Sequence, residues 1–168
     1  PRFDFEKFPS ASGHLGVQMQ SVGEVMSIGR TFKESIQKSF RSLEVGLDGL
    51  EAKPIKDTDP NLIRSRDLDM SALRHATSFR LLKIHQAFKD GKTVKEINSL
   101  TGIDPWFLNQ INDLAIVNKH YPLIQLKQNG FSDSQIGRIR GQLGSEIRQL
   151  RKNESVKPTY KVVDTCAA

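Results

Sequence analysis

Apolar residues recur at helical intervals along most of the chain, and the clearest run follows Thr31. Four apolar side chains are spaced there so that they share one face of a helix. They are Phe32, Ile36, Phe40 and Leu43. Thr31 and Glu34 have the spacing of a capping box, and Gly46 is a natural end for the helix. The pattern therefore predicts an amphipathic helix between Thr31 and Gly46 whose apolar stripe packs in the core.

The centre of the chain contains an internal repeat, in which residues 91–102 match residues 130–141 at an offset of 39 residues. In each copy a glycine ends one helix, and a capping box begins a short second helix. Two apolar residues three positions apart then face the core, and a further glycine turns the chain into a third helix. The capping pairs are Thr93 with Glu96 and Ser132 with Gln135, and the third helices begin at Asp104-Pro105 and near Ser145. The repeat predicts two similar units of a compact all-helical domain.

The remaining segments complete the predicted fold. Residues 47–58 contain Gly49 and Pro54 and are typical of a linker, and Asp59-Pro60 then starts a helix. Residues 59–154 are predicted to be almost wholly helical. Period-two alternation at residues 3–6 and 156–162 predicts short extended segments at the two ends. The fold class is therefore mainly α, an irregular array of short helices with an internal helical repeat, flanked by short extended segments from neighbouring domains.

Two adjacent aromatic residues stand out within the repeat. Trp106 and Phe107 follow the helix start at Asp104-Pro105, and Leu108 comes directly after them. The beginning of this helix is therefore apolar on more than one side. We expect at least one of the two aromatic side chains to be a core anchor that joins the repeat units.

Composition and charge narrow the possible functions without deciding among them. The 168 residues carry a formal net charge of +6, and 37% of them are hydrophobic, which suits one globular domain or a domain with part of another. The single cysteine, Cys166, cannot form an internal disulfide, as is usual in a reducing compartment. The longest apolar runs are too short for a membrane span.

The sequence shows no motif of catalysis or of metal binding. The four histidines lack metal-ligand spacing, and phosphate loops, dinucleotide fingerprints and nucleophile elbows are all missing. The repeat and the positive charge leave one alternative open, a helix-turn-helix-like nucleic-acid-binding module. Its best candidate surface is the last helix, which carries Arg148, Arg151 and Lys152. We assign no catalytic, cofactor-binding or metal-binding residue.

Several motifs, taken in order, resemble the large subunit of carbamoyl-phosphate synthase. They are PRFDFEKF at 1–8, SVGEVMSIGR at 21–30, SIQKSFRSL at 35–43, IDPWFL at 103–108, GFSD at 130–133 and VDTCAA at 163–168. The resemblance implies three parts: residues 1–50 are the tail of the first ATP-grasp domain, residues 51–155 an all-helical oligomerisation or connection domain, and residues 156–168 the lead-in to the second synthetase half. It also implies that the chain is a fragment of a longer protein.

The same resemblance implies the chemistry and the partners of a parent enzyme. That enzyme is an ATP-dependent ligase that makes carbamoyl phosphate, for arginine or pyrimidine synthesis, from bicarbonate, glutamine-derived ammonia and ATP with magnesium. Its nucleotide and metal ligands lie outside this chain, which is expected to be a non-catalytic connecting and oligomerisation module. The expected partners are the rest of the large subunit, a glutaminase small subunit and a second copy, in the cytoplasm, with no nucleic acid or membrane. The family's contact segment falls near residues 59–68, so Leu62 and Ile63 are the candidate oligomer interface.

Overall fold

A computed structural model describes residues 14–51 and 70–163 of the chain. These residues form seven α-helices and one short 3-10 helix. The α-helices are α1 Phe32–Ser42, α2 Arg80–Lys89, α3 Val94–Thr101, α4 Pro105–Ala115, α5 Leu123–Gln128, α6 Asp133–Arg140 and α7 Gly144–Asn153, and the 3-10 helix is Met70–Arg74. Within these ranges, β-pairing is limited to isolated bridge residues, such as His14 opposite Thr77. The predicted mainly α fold is confirmed.

The internal repeat is confirmed by the positions of the helices. α3 and α6 have the same length, and the predicted offset separates both their starts and their ends. Gly91 and Gly130 each have a φ of 85°, and Gly102 and Gly141 have φ values of 69° and 70°. α7 begins at Gly144, one residue before the predicted Ser145 and at the position that corresponds to the start of α4. The two units, α2–α4 and α5–α7, therefore share one plan.

The capping boxes of the repeat also form as predicted. The Thr93 hydroxyl accepts the Glu96 N–H at 3.2 Å, and the Glu96 carboxylate accepts the Thr93 N–H at 2.7 Å. In the second copy the Ser132 hydroxyl accepts the Gln135 N–H at 3.1 Å, and the Gln135 Oε1 accepts the Ser132 N–H at 3.0 Å. Both exchanges satisfy backbone donors that a helix start otherwise leaves unpaired.

The core is built from matching positions of the two copies. Ile97 of α3 and Ile136 of α6 are completely buried, as are Leu108 of α4 and Ile147 of α7. Each of these residues occupies the same place in its own unit, so the copies contribute equivalent side chains to one hydrophobic cluster. Such a cluster gives short helices the stability that they lack in isolation.

Helix α1 begins as predicted but differs in three details. The Thr31 hydroxyl accepts the Glu34 N–H, whereas the Glu34 carboxylate accepts the N–H of Arg30 and not that of Thr31. The helix ends at Ser42, four residues before the predicted stop at Gly46. Its apolar stripe is only partly buried, and the fully buried residue of the helix is the polar Gln37.

The predicted linker is wrong where the structure describes it. Leu47 and Leu50 are buried members of the hydrophobic cluster, so this part of the segment belongs to the core. The predicted helix start at Asp59-Pro60 and the alternating residues 3–6 lie outside the described ranges. Residues 156–163 are described and contain neither helix nor strand.

Candidate functional site

The residues predicted to form the oligomer contact, Leu62 and Ile63, lie outside the part of the chain that the structure describes. Their role stays a prediction. The described residues show instead how α1 is held against the repeat units, and which surfaces of the domain are left open.

The N-terminal turn of α1 contacts the first repeat unit through aromatic rings. The Phe32 ring lies edge-on to Trp106 and to Phe107 of α4, with ring centroids 5.6 Å and 5.4 Å apart. Trp106 and Phe107 also meet edge to face at 4.9 Å. Beside them the Lys33 ammonium lies 2.8 Å from the Asp113 carboxylate. We call Phe32, Trp106 and Phe107 the aromatic platform.

The expectation that Trp106 or Phe107 is a core anchor is wrong. Trp106 is 54% exposed and Phe107 is 43% exposed, and both meet α1 instead of bridging the repeat units. The inner face of α4 is formed by Leu108, Ile111 and Leu114, which recur every three residues and are all buried. Because a helix turns about 100° per residue, Trp106 lies on the side of α4 away from Leu108. Phe107 lies one turn before Ile111 on the inner side, but in the first turn of the helix, where it meets the Phe32 ring of α1.

The C-terminal half of α1 packs on the turn between α5 and α6. An Arg41 guanidinium nitrogen donates to the carbonyl of Gly130 at 2.7 Å and to that of Asp48 at 3.3 Å. A Cβ added to Gly130 would lie 2.9 Å from the Glu34 Cα, whereas a Cβ on the equivalent Gly91 would meet nothing within 4 Å. Helix α1 therefore approaches the second copy of this turn so closely that only glycine fits.

A buried amide cluster fixes the centre of this contact. The Gln37 Oε1 accepts the backbone N–H of Leu50 at 2.8 Å and the side-chain amide of Gln135 at 3.2 Å. Gln37 and Gln135 are both buried, and a Cβ on Gly49 would overlap the Gln37 amide oxygen. Because buried polar groups are costly to leave unpaired, the cluster holds α1, the following loop and α6 in one register.

Charged residues close the same contact at the surface. The Arg138 guanidinium of α6 lies 2.7 Å from the Asp48 carboxylate and also contacts Glu51. Partial burial opposes the charge of Arg138, but the two carboxylates outweigh this effect and raise the pKa of its guanidinium. Ion pairs, as well as the amide cluster, therefore hold the loop after α1 against α6.

A second ionic group lies within the second repeat unit. The Asp133 carboxylate is 2.9 Å from the Lys127 ammonium and 3.0 Å from the Arg151 guanidinium. Burial by itself would raise the pKa of Asp133, but the two cations lower it. Burial lowers the pKa of Lys127, although its bond with Asp133 acts in the opposite direction. Arg151, a candidate for phosphate contact in the nucleic-acid alternative, is therefore engaged inside the fold.

His85 of α2 is the buried histidine of the first repeat unit. Burial, with a smaller contribution from Lys89, lowers its pKa to about 4, although a hydrogen bond to the backbone of Leu114 acts against this shift. The side chain is 4% exposed, so the imidazole is a neutral part of the core at physiological pH. Its hydrogen bond to Leu114 joins α2 to α4 within one repeat unit.

The described residues lack the groupings that a metal site or a membrane span requires. Within residues 14–51 and 70–163, no three His, Cys, Asp or Glu side chains come together as a metal site would require. None of the helices in these ranges is both long enough and apolar enough to cross a membrane.

The caps of the repeat can be predicted from the sequence, whereas the polar contacts of α1 cannot. The sequence marks Gln135 only as a capping residue, yet its amide nitrogen also donates to Gln37. No pattern within α1 marks Gln37, because it is a polar residue on a helix whose other face is apolar. The sequence predicts that Gly130 ends a helix, but it does not predict the close approach of Gly130 to α1, which is far away in the sequence.

Comparison with known proteins decides the family. Residues 24–155 match the family model described as the carbamoyl-phosphate synthetase large chain, oligomerisation domain. The chain belongs to this family. No finding supports the helix-turn-helix alternative.

Relatives within the carbamoyl-phosphate synthetase family are similar over the whole chain. It is 45% identical over 179 residues to the carbamoyl phosphate synthase large chain of Synechocystis sp.. It is 44% identical to the large chain of Buchnera aphidicola and 40% identical to that of Methanothermobacter thermautotrophicus. Each match covers 100% of this chain and 16% of the relative. The chain thus spans about a sixth of the length of the relatives that it matches.

Proposed function

We propose that this chain is the connecting and oligomerisation module of a carbamoyl phosphate synthase large chain, and that it takes no direct part in catalysis. The observation that carries the proposal is the match of residues 24–155 to the oligomerisation domain of that family. The packing supports it, because the described residues build a helical domain from two repeat units and one added helix.

The proposed module joins two larger parts of the enzyme. We place the tail of the preceding ATP-grasp half up to about residue 30, because α1 and its following loop pack against both repeat units. The helical domain then extends to about residue 155, and residues 156–168 lead into the second half. This boundary is earlier than the division at residue 50 expected from the resemblance.

The remaining parts of the proposal concern the whole enzyme. The relatives are carbamoyl phosphate synthases by name. In the proposed parent, ATP and magnesium bind outside this chain, and a glutaminase small subunit supplies ammonia for the reaction with bicarbonate. The product serves arginine or pyrimidine synthesis in the cytoplasm. This module contributes the contact between copies of the large chain.

The test of the association role is sedimentation of the full-length large chain with a charge at the predicted contact. Leu62→Glu or Ile63→Glu should lower the oligomer mass at a given concentration, because an unpaired charge is costly to bury in an apolar interface. Ile124→Glu is the matched control, since Ile124 lies on α5 and is already 47% exposed. If both contact variants keep the mass of the unmodified protein across a dilution series, Leu62 and Ile63 are not part of the contact.

A further inference from the structure

The chain contains one Asn-Gly dipeptide, Asn129-Gly130, and its glycine lies directly under α1. Asparagine is one of the chemically labile residues of proteins. It is most reactive before glycine, because a residue without a side chain does not hinder attack by its own backbone nitrogen. Gly130 is thus both a contact of α1 and part of a reactive position in the chain.

The reaction at such a dipeptide is deamidation through a cyclic imide. The backbone nitrogen of Gly130 forms a bond to the side-chain carbonyl carbon of Asn129, and the bond from that carbon to the side-chain nitrogen breaks. Ammonia leaves with the proton of the Gly130 N–H. Water then opens the ring at either carbonyl and gives aspartate or isoaspartate. The isoaspartate product has one additional carbon in the main chain between positions 129 and 130.

Three contacts hold the Gly130 backbone against this reaction. Its N–H donates to the Lys127 carbonyl at 3.0 Å, so the nitrogen that must attack is engaged in a hydrogen bond. Its carbonyl accepts a hydrogen bond from Arg41 at 2.7 Å. The Glu34 Cα lies so close that a Cβ added to Gly130 would be 2.9 Å from it. Because ring closure requires the backbone to rotate between positions 129 and 130, these contacts oppose it.

The first repeat unit contains the same turn without α1 above it. Asp90-Gly91 occupies the equivalent place there. The φ and ψ angles are −83° and 7° at Asp90, and −80° and 5° at Asn129. The Gly91 N–H donates to the Phe88 carbonyl at 3.0 Å, which matches the bond of Gly130. A Cβ on Gly91 would meet nothing within 4 Å, so the two turns share a backbone but not the cover that α1 provides.

We propose that Asn129 is a self-modification site that α1 protects, and that it deamidates when α1 leaves the second repeat unit. An isoaspartate at this position lengthens the main chain beside the Gly130 carbonyl that Arg41 binds, so it prevents α1 from returning to its place. The turn therefore records the release of α1 as a covalent change. The inference depends on contacts among the described residues and not on the proposed function.

The first test compares deamidation at the two turns of one molecule. The full-length large chain with Asp90→Asn is incubated at neutral pH, and its peptides are mapped by mass spectrometry. The substitution places an Asn-Gly dipeptide in both turns and keeps the side-chain oxygen that accepts the Gln86 amide. Asn129 should deamidate at least about ten-fold more slowly than position 90, because a covered site reacts only after local opening. An isoaspartate-specific methyltransferase identifies the product.

The second test releases α1 by substitution in the same Asp90→Asn chain. Arg41→Met removes the donor to the Gly130 carbonyl, and it should speed deamidation at Asn129 roughly ten-fold without changing the rate at position 90. Lys33→Met is the control. It removes a half-exposed ion pair at the end of α1 that carries the aromatic platform, and its effect should stay below about five-fold.

The third test measures amide hydrogen exchange of α1 in chains that carry isoaspartate at position 129. Exchange should be at least about ten-fold faster than in unmodified chains, because α1 no longer returns to its place. Equal exchange would contradict the proposal. Two other results would overturn it: equal deamidation at positions 90 and 129, and an Arg41→Met variant that leaves Asn129 unchanged or speeds both positions equally. None of these results affects the sedimentation test at Leu62 and Ile63.

Discussion

Equivalent residues of the two repeat units have equal backbone geometry but different surroundings. Gly91 and Gly130 both have a φ of 85° and both close a helix, as the sequence predicted. Glycine is favoured at each because a Cβ is strained in this left-handed conformation. Only Gly130 lies under α1, and its carbonyl accepts a hydrogen bond from Arg41. The sequence repeat therefore predicts what the two residues share, but not the neighbour that distinguishes them.

Alanine at each glycine separates these two contributions. Gly91→Ala should lower the free energy of unfolding by roughly 1–2 kcal/mol, which is the usual cost of a left-handed non-glycine residue. Gly130→Ala should cost at least about 1 kcal/mol more, because overpacking adds strain where its Cβ meets the Glu34 backbone. Urea unfolding of the 168-residue chain, followed by circular dichroism, measures both values. Equal costs would show that α1 does not press on this turn.

His85 gives the chain a pH-dependent stability. Its pKa is lowered to about 4 in the folded state, mainly by burial, while an unfolded histidine titrates near 6.5. Below pH 6.5 the unfolded state therefore binds a proton that the folded state does not. Stability is fully present above this pH and is lost as pH falls to about 4, by up to about 3 kcal/mol.

A variant without the imidazole tests this dependence. His85→Gln cannot titrate, so its free energy of unfolding should decrease less between pH 7 and pH 4 than that of the unmodified chain. The comparison uses the difference between the two pH profiles, because carboxylates such as Asp133 also begin to titrate at the acidic end. Parallel profiles would mean that protonation of His85 costs nothing in the folded state.

At the scale of elements, the local sequence predicts helix ends well and helix partners poorly. The caps of α3 and α6 involve residues three positions apart, so the chain itself contains all of the information. The partners of α1 in the repeat units include residues 80 or more positions away, such as Asp113 and Gly130. The prediction that Trp106 lies in the core is wrong for the same reason. The sequence of α4 does not indicate which of its sides contacts α1.

The polar contacts at the two ends of α1 should differ in strength. Arg41→Met removes donors from the carbonyls of Gly130 and Asp48 in a partly buried place, and should cost roughly 1–3 kcal/mol. Lys33→Met removes an ion pair whose acidic partner is half exposed, and should cost less than about 1 kcal/mol. Urea unfolding of the 168-residue chain provides both values. We infer that Arg41 contributes more than Lys33 to holding α1 in place. A larger loss of unfolding free energy for Lys33→Met than for Arg41→Met would contradict this.

At the scale of the whole molecule, the sequence predicted the kind of protein better than its internal attachments. The repeat predicted the helical architecture. The motifs, taken in order, indicated the family that the family model then matched. The linker expected at residues 47–58 is partly core in its described part, because Leu47 and Leu50 join the hydrophobic cluster formed with helices that follow much later in the chain. The predicted contact at Leu62 and Ile63 stays a prediction, because it lies outside the described residues.

The proposal that the nucleotide sites of the enzyme lie outside this chain predicts how the isolated chain behaves with ATP. It should not bind magnesium-ATP with micromolar affinity, because tight binding needs backbone or cationic groups that converge on phosphates and carboxylates that can hold magnesium. The neighbouring carboxylates of Asp48 and Glu51 are both engaged by Arg138. Asp133 is likewise held between Lys127 and Arg151.

Isothermal titration calorimetry of the 168-residue chain with magnesium-ATP checks this prediction. The full-length large chain, titrated under the same conditions, is the positive control, because the proposed nucleotide sites lie in its other parts. The expected result is heat of binding from the full-length chain and only heat of dilution from the 168 residues. A saturable micromolar isotherm from the shorter chain would mean that part of a nucleotide site lies within this module, and the assignment of a purely connecting role would be wrong.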